Sequence, residues 1–417
     1  MKTPLSLGLI GVGGFGLFHR NAMALLRQEG RARLTAVADP TLERLPQLKQ
    51  DLLAQGVRIY ADYRLMLESE PDLAAVTIAA PIPFHEEMAH ACLQFGPKIY
   101  LEKPPVPLIQ QLDRLIVADA EERIHVGFQL LVSGWSTQIK QWVAEGRLGD
   151  ILSIRAGACW PRTDAYYARA PWVGKMSYQG RPVFDGPASN ALSHLIHSVM
   201  YLSNARESGF EEPIEIQGEL YRARPMESYD TACARGLFRS GVEFTVAVTH
   251  ATEAELPFQL RINGTKGWAQ VSRDGRHLES SWGARDFTEE TDALVNLSYR
   301  RYVDFVEGRC DRPLTRLVDT RGYVLATNGL LISSGGIQEM DSQWVRRYEG
   351  AGGAGYDVAG LYEAVSETIG TGRLFSEMNL EWAKSTAPIS VEDLPSCALH
   401  ETVKVRPQRE PMPLTPA

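Results

Sequence analysis

Cysteine is sparse in this chain. The five residues Cys92, Cys159, Cys233, Cys310 and Cys397 are scattered, odd in number, and form no C-x-x-C pair. That excludes a disulfide framework and a thiolate zinc site as organising features, so no metal is expected and a reducing, cytoplasmic setting is. No uninterrupted apolar stretch approaches the length that spans a bilayer. The apolar run near the N-terminus is broken by glycines and followed by His19 and Arg20. It lacks the layout of a signal peptide, and none is expected. There is no run of basic residues and the net charge is -8, which argues against nucleic acid or an anionic membrane as a partner. No internal repeat is visible.

What remains is a globular composition, 44% hydrophobic and 23% charged over 417 residues, long enough for more than one core. The most informative stretch is Leu5 to Gly16, LSLGLIGVGGFG. An apolar run to Ile10 gives way to Gly11, Gly13 and Gly16, and a helical segment follows from about Phe18 to Arg27. This is strand, tight turn and helix with the spacing G-x-G-x-x-G. The first glycine permits the turn, the second lets backbone approach a pyrophosphate, and the third packs helix on strand. A second strand, Leu34 to Ala38, ends in Asp39, near the distance at which a carboxylate meets the adenosine ribose hydroxyls. Asp39 alternatively caps the turn at Pro40 and Thr41. The two features in one βαβ unit point to a dinucleotide. Asp39 favours NAD over NADP, with Arg20 and Arg44 the nearby cations able to receive a 2′-phosphate.

Alternation continues through expected elements at Leu42–Gln55, Arg58–Tyr60, Tyr63–Glu68, Ala75–Ala80, His85–Phe95, Lys98–Leu101, Leu108–Glu122 and Ile124–Leu130. The pattern predicts a doubly wound parallel sheet over residues 1–125. From Gly149 the grammar changes to β-rich runs at 151–157, 214–223, 231–238, 242–249, 259–263 and 267–271. Helical segments follow the 3.6-residue period at 189–202, 292–307 and 316–332. Residues 126–340 are therefore expected to form an α+β domain on a large, mostly antiparallel open sheet. Residues 341–417 form an extension in which Gly350–Gly355 reads as a flexible joint, Tyr356–Thr371 as a helix, and the segment from Pro407 as disordered. The assigned helices are too few to cover both faces of that sheet. A homo-oligomer, dimer or tetramer, formed through the sheet is expected on that ground.

Lys103 stands at the carboxyl end of the strand IYLE, before two prolines, where ligands of a doubly wound sheet bind. A second constellation is Asp185 to Tyr201. A helix from Ser189 would place Asn190, His194, His197 and Tyr201 on one stripe. The stripe reads either as an internal hydrogen-bond network or as a site. As metal ligands, His194 and His197 lack a nearby carboxylate.

Through GVGGFG, VADP, the segment Ala79 to His85, LEKPP and the helix containing His194, residues 1 to about 335 resemble the Gfo/Idh/MocA oxidoreductases (glucose-fructose oxidoreductase / inositol dehydrogenase). The resemblance implies a Rossmann domain joined to a C-terminal open-sheet domain that packs on the cofactor crevice and often on other subunits. It implies NAD(P) contacts from Gly11, Gly13, Gly14, Phe15, Gly16, Asp39, Pro81, His85, Glu102 and Lys103. Catalytic roles fall to Lys103 and His194, with Asn190 where the family commonly has aspartate. Asparagine hydrogen-bonds but takes no proton, so an Asp–His pair does not carry over. The family's asparagine two residues before the His85 position is Pro83. Trp172, Asp185 and His197, with Tyr166, Tyr167 and Lys175, lie in the substrate region. The expected activity is hydride transfer between nicotinamide and a sugar, cyclitol or related polyol. The alternatives are an NAD-dependent glycosidase of the same family and a non-catalytic NAD-sensing protein.

Overall fold

The computed structural model describes residues 3–205 and 209–399. The Pro-rich segment from Pro407 lies outside them. The N-terminal part runs β1 (Leu5–Ile10), α1 (Gly16–Gln28), β2 (Ala32–Ala38), α2 (Pro46–Ala54), β3 (Arg58–Tyr60), α3 (Tyr63–Ser69), β4 (Ala75–Ile78), α4 (His85–Phe95), β5 (Lys98–Leu101), α5 (Ile109–Ala118) and β6 (Ile124–Val126). Its six strands form one parallel sheet, ordered β3-β2-β1-β4-β5-β6. Every residue of β4 is buried, as expected of a central parallel strand covered on both faces. The order reverses between β1 and β4, so a crevice opens beyond their carboxyl ends.

Three boundaries depart from the periodicity for local reasons. Pro46 opens α2, and Leu45 before it leaves the helical region (φ -124°, ψ 63°), so the single helix expected over 42–55 splits into a short 3-10 turn and α2. α5 stops at Ala118 because the Asp119 carboxylate accepts the amides of Arg123 and Ile124, turning the chain. β6 ends at Val126 because the chain turns back there, with Phe128 N donating to Val126 O at 2.8 Å.

The second part begins with α6 (Gly134–Ala144), a helix absent from the sequence expectation. It continues with β7 (Ile151–Cys159), α7 (Asp164–Ala168), the two-residue strands β8 (Ser177–Tyr178) and β9 (Arg181–Pro182), and α8 (Ser193–Leu202). Then come β10 (Pro213–Arg222), β11 (Thr231–Phe238), β12 (Glu243–Thr249), β13 (Leu256–Gly264), β14 (Trp268–Ser272), β15 (His277–Ser280), β16 (Gly283–Asp286), α9 (Thr291–Val306) and α10 (Arg321–Ser333). β17 (Gln338–Glu339) follows, and the extension supplies β18 (Val345–Gly350), β19 (Gly353–Val358), α11 (Leu361–Thr371) and β20 (Ile389–Ser390). The large sheet is ordered β16-β15-β14-β13-β7-β12-β11-β10-β17, with β20 on β10. It is antiparallel except where β7 meets β12 and β10 meets β17. α9 returns to the N-terminal unit, where Val295, Tyr299, Tyr302 and Val303 pack with Leu7, Leu9 and Tyr100.

One face of the large sheet buries Ile154, Ala156, Leu220 and Val246 against Leu195 and Val199 of α8 and Leu330 of α10. The opposite face buries Cys159, Tyr221, Cys233 and Ala247 against Leu361, Val365, Ile369, Phe375 and Trp382. Gly157 admits this packing, since a Cβ there would stand 2.9 Å from the Ile369 side chain. On β7 and β10–β12 that face is thus covered by the chain's own extension, whereas on β13 and β14 the side chains of Gln259, Arg261 and Gln270 on the same face stay half-exposed. The expected flexible joint is also corrected. Gly350 pairs with Gly353 across the end of the β18–β19 hairpin, and Gly352 and Gly353 take φ of +93° and +98° to make its turn. The glycines serve a tight reversal between strands rather than a linker.

Candidate active site

The glycine turn shows two distinct uses of the residue. A Cβ at Gly11, where φ is +87°, would meet Ala79 O of the neighbouring strand end at 2.7 Å, and one at Gly16 would meet Gly11 O at 2.3 Å. These two permit close packing. A Cβ at Gly13 would meet nothing within 4 Å, so that position is open on the side from which a ligand approaches. Among the described residues the amides of Gly13, Gly14 and Phe15 take no protein acceptor, while those of Gly16, Leu17 and Phe18 close turns onto Gly13, Gly14 and Phe15. Open amides at the start of α1 suit an anion such as pyrophosphate. Asp39 ties the next strand to this turn. Its Oδ2 accepts from Val12 N at 2.9 Å, and its Oδ1 accepts from Thr41 N at 2.8 Å and Thr41 Oγ1 at 2.7 Å. Asp39 thus takes the turn-capping role while tying the carboxyl end of β2 to the glycine turn. These features fit NAD.

The other expected cofactor residues divide. Pro81 is exposed at the carboxyl end of β4. His85 is buried, with Nδ1 2.9 Å from Pro104 O and Nε2 2.8 Å from Ala80 O. It staples the loops after β4 and β5 together, and burial holds its pKa below the ordinary value. Glu102 is likewise buried and accepts from His19 Nε2 at 2.9 Å and from Lys103 N at 3.1 Å. Its carboxylate locks α1 to the end of β5. Both residues place Lys103, and neither presents a free group to a ligand.

The Lys103 ammonium donates to Asn190 O at 2.9 Å and to Asn190 Oδ1 at 3.2 Å. The Asn190 amide in turn donates from Nδ2 to Asp185 Oδ1 at 2.7 Å, and Asp185 Oδ2 accepts from Gly174 N at 2.7 Å. Lysine, asparagine and aspartate thus form one chain. Asn190 suits its middle, since an amide both accepts from an ammonium and donates to a carboxylate. Burial lowers the Lys103 pKa against the opposing pull of Glu102 and Asp185, and burial raises that of Asp185. His194 lies beside this chain. Burial, then Lys103, then His197, push its pKa well below the usual histidine value, so the imidazole is neutral at pH 7. Its Nδ1 is buried without a partner.

The expected continuous stripe is not formed. Residues Pro187–Ala191 make a wide turn of π-helical geometry and α8 starts only at Ser193. Tyr229 and Tyr323 hold that turn. Tyr229 OH accepts from Ser189 N at 2.9 Å, and Tyr323 OH donates to Ser189 O at 3.0 Å. His197 belongs to the core rather than to a substrate surface. Its ring stacks on Phe128 at 3.9 Å and on Phe210 at 5.0 Å, and burial pushes its pKa down to about 3. Tyr201 is also buried, with its ring 4.1 Å from Lys140 Nζ. Trp172 is half-buried near Arg169, and Lys175 lies 3.8 Å from a Glu227 oxygen. Tyr167 OH stands 3.3 Å from His250 Nδ1. His250, Arg162 and Arg169 were not singled out by the sequence reading, because strand ends 90 residues apart carry no shared local pattern. Among the described residues no group of three or more His, Cys, Asp and Glu is arranged to hold a metal, and no helix is long and apolar enough to cross a membrane.

Comparison with known proteins accords with this geometry. Residues 5–128 match the NAD-binding Rossmann fold of an oxidoreductase family, and residues 136–270 match the GFO/IDH/MocA C-terminal domain. An inositol 2-dehydrogenase of Rhodococcus erythropolis is 31% identical over 156 residues, which is 37% of this chain and 44% of that protein. The chain spans under half the length of the curated relatives it matches. The WlbA dehydrogenase of Bordetella pertussis, solved with NADH and UDP-GlcNAcA, superposes with a TM-score of 0.67 at 23% identity, covering 79% of this chain and 96% of the other. A levoglucosan dehydrogenase solved with NADH gives 0.67 at 19% identity, covering 79% and 97%. At these identities the two structures speak to the fold. With both of its domains matched in order over more than half its length, the chain belongs to the Gfo/Idh/MocA oxidoreductase family.

Proposed function

We propose that the protein is an NAD-dependent dehydrogenase acting on a CH–OH group of a sugar, cyclitol or related polyol. The observation that carries this reading is the hydrogen-bonded chain Lys103–Asn190–Asp185 beside a neutral His194. The inositol and levoglucosan dehydrogenases among its relatives support the same class. When bound, NAD supplies the hydride acceptor. The amides of Gly13, Gly14 and Phe15 would hold its pyrophosphate, and Asp39 would accept from its adenosine ribose hydroxyls. His194 takes the proton of the substrate hydroxyl at Nε2, while the Lys103 ammonium hydrogen-bonds the same oxygen and stabilises the charge that develops there. Asn190 and Asp185 orient Lys103. The reverse direction uses the same groups.

The test is a panel of polyols and glycosides with the NAD-loaded protein, following NADH absorbance and released aglycone together. NADH formation without aglycone release is expected. Aglycone without net NADH would replace the dehydrogenase by a glycosidase, and neither signal would leave an NAD-binding protein without turnover. NAD(H) is expected to bind about tenfold or more tightly than NADP(H), because a 2′-phosphate would meet the Asp39 carboxylate. Asp39→Ala should weaken NAD(H) and narrow that gap. Titration of both nucleotides decides, and a wild-type preference for NADP(H) would sink the assignment of Asp39.

A further inference from the structure

The segment after β7 carries two arginines that share one aromatic ring. Arg162 Cζ lies 5.0 Å from the Tyr166 ring centroid and 5.3 Å from that of Trp160, and Arg169 Cζ lies 3.6 Å from the Tyr166 centroid and 6.0 Å from that of Trp172. Their neighbour Arg224 is paired with Asp164. Among the described residues Arg162 and Arg169 form no ion pair with a carboxylate. Arg162 donates from one terminal nitrogen to Pro161 O at 3.1 Å. A guanidinium held against aromatic rings keeps N–H groups for a carboxylate or phosphate, and here Arg169 also hydrogen-bonds the Tyr166 side chain.

Around these cations the structure leaves polar atoms unpartnered. Arg162 Nε, Trp160 Nε1 and His250 Nε2 are all buried with no hydrogen-bond partner. They come together because β7 and β12 run parallel and end side by side, with Trp160 N donating to Thr249 O at 2.9 Å and Arg162 N to His250 O at 3.3 Å. His250 is 3% exposed. Tyr167 OH stands 3.3 Å from its Nδ1, and in the tautomer where that hydroxyl donates the ring carries its proton on Nε2. Trp160 and Arg162 present two buried N–H donors without an acceptor, and His250 Nε2 adds a third in that tautomer. A buried unsatisfied donor costs roughly 1–3 kcal/mol, so this corner calls for an acceptor-rich ligand.

The donor cluster lies beside the catalytic chain. The Arg169 guanidinium is close enough to lower the proton affinities of both Lys103 and His250 and to stabilise the Asp185 carboxylate. The acids of this neighbourhood are otherwise engaged. Asp185 holds Asn190 and Gly174, Asp164 holds Arg224, and Glu227 faces Lys175.

We infer that the hydroxylated substrate carries an anionic group, carboxylate or phosphate, and that Arg162 and Arg169 receive it together with the N–H groups of Trp160 and His250. This rests on the dehydrogenase reading for the word substrate, but the anion subsite stands on its own residues. Tryptophan fluorescence, with Trp160 and Trp172 beside the subsite, reads binding directly. D-glucuronate, D-gluconate and glucose 6-phosphate are titrated against D-glucose, with and without NADH. At least one acid is expected to bind about tenfold or more tightly than glucose, with an affinity that falls as salt rises. The uronate and aldonate arms against the phosphate arm say which anion is preferred. The double variant Arg162→Gln/Arg169→Gln is expected to lose that preference while keeping wild-type NADH affinity and near-UV circular dichroism. Equal or absent binding of acids and glucose by the wild type, or a preference retained by the folded double variant, would overturn the inference. Acids that bind without forming NADH from NAD would count against the dehydrogenase reading and leave the subsite in place.

Discussion

Lys103→Ala is expected to lower turnover by a factor on the order of a hundred to ten thousand, the range attributed to a positioned proton-handling group. The side chain is anchored at two oxygens of Asn190, and its loss removes the partner that keeps Asn190 and Asp185 in register and, on the proposed mechanism, the charge at the reacting oxygen. His194→Ala should cost a comparable factor with little change in NADH affinity, since the glycine turn and Asp39 lie on other elements. The pH profile separates the two. Because the His194 pKa is held below its ordinary 6.5, the base remains deprotonated there, and the acid limb of kcat/KM should fall below pH 6.5. The Lys103 pKa is lowered from 10.5, so the alkaline limb should appear below that value and vanish in Lys103→Ala. Asn190→Asp places a carboxylate where the amide donates to Asp185, setting two acids against each other. It should reduce kcat rather than create a better base. Steady-state kinetics on a substrate found in the panel check all three variants. Near-wild-type turnover by His194→Ala would make that histidine structural.

Val365→Asp should destabilise the protein by roughly 3–5 kcal/mol, the range for an unpaired charge placed in a packed core. Val365 is fully buried between α11 and the large sheet. No partner awaits a carboxylate in that cluster, where the neighbours are Cys159, Ala247, Leu361 and Ile369. The same face is held by polar contacts. Ser376 donates to Glu219 Oε1 through Oγ at 2.6 Å, Tyr221 OH donates to Glu219 Oε2 at 2.9 Å, and Lys384 N donates to Tyr221 OH at 3.0 Å. Removing residues 337–417 should therefore expose an apolar sheet face and drive association. Urea unfolding measures the first effect, and light scattering of the intact and shortened chains measures the second. An unchanged urea midpoint for Val365→Asp, or a shortened chain that stays dispersed, would show that the extension contributes little to the fold.

The site was legible where its chemistry is local. GVGGFG announces its turn because three glycines must lie within six residues for a strand to enter a helix at an anion site. LEKPP announces Lys103 because prolines fix the chain leaving a buried strand. Asn190 and His194 were named, but the regular helix assumed for them was not formed. A wide turn held by Tyr229 and Tyr323, tyrosines 40 and 134 residues away from Ser189, overrides the helical period. The resemblance implied cofactor contacts for His85 and Glu102, and motif position does not say which way a side chain points. Their hydrogen-bond partners turn them inward.

From sequence alone follow the parallel sheet of the first unit, the dinucleotide turn, and the antiparallel character of the second sheet, because each rests on periods and turns spanning fewer than about thirty residues. The tertiary structure decided what covers that second sheet, which helix returns to the first unit, and how Trp160, Arg162 and His250 come to share a corner. Those outcomes depend on apolar faces and strand ends meeting across long stretches of chain. A hydrophobic stripe on α11 specifies only that it must be buried, and the sheet face left open by α8 and α10 specifies where.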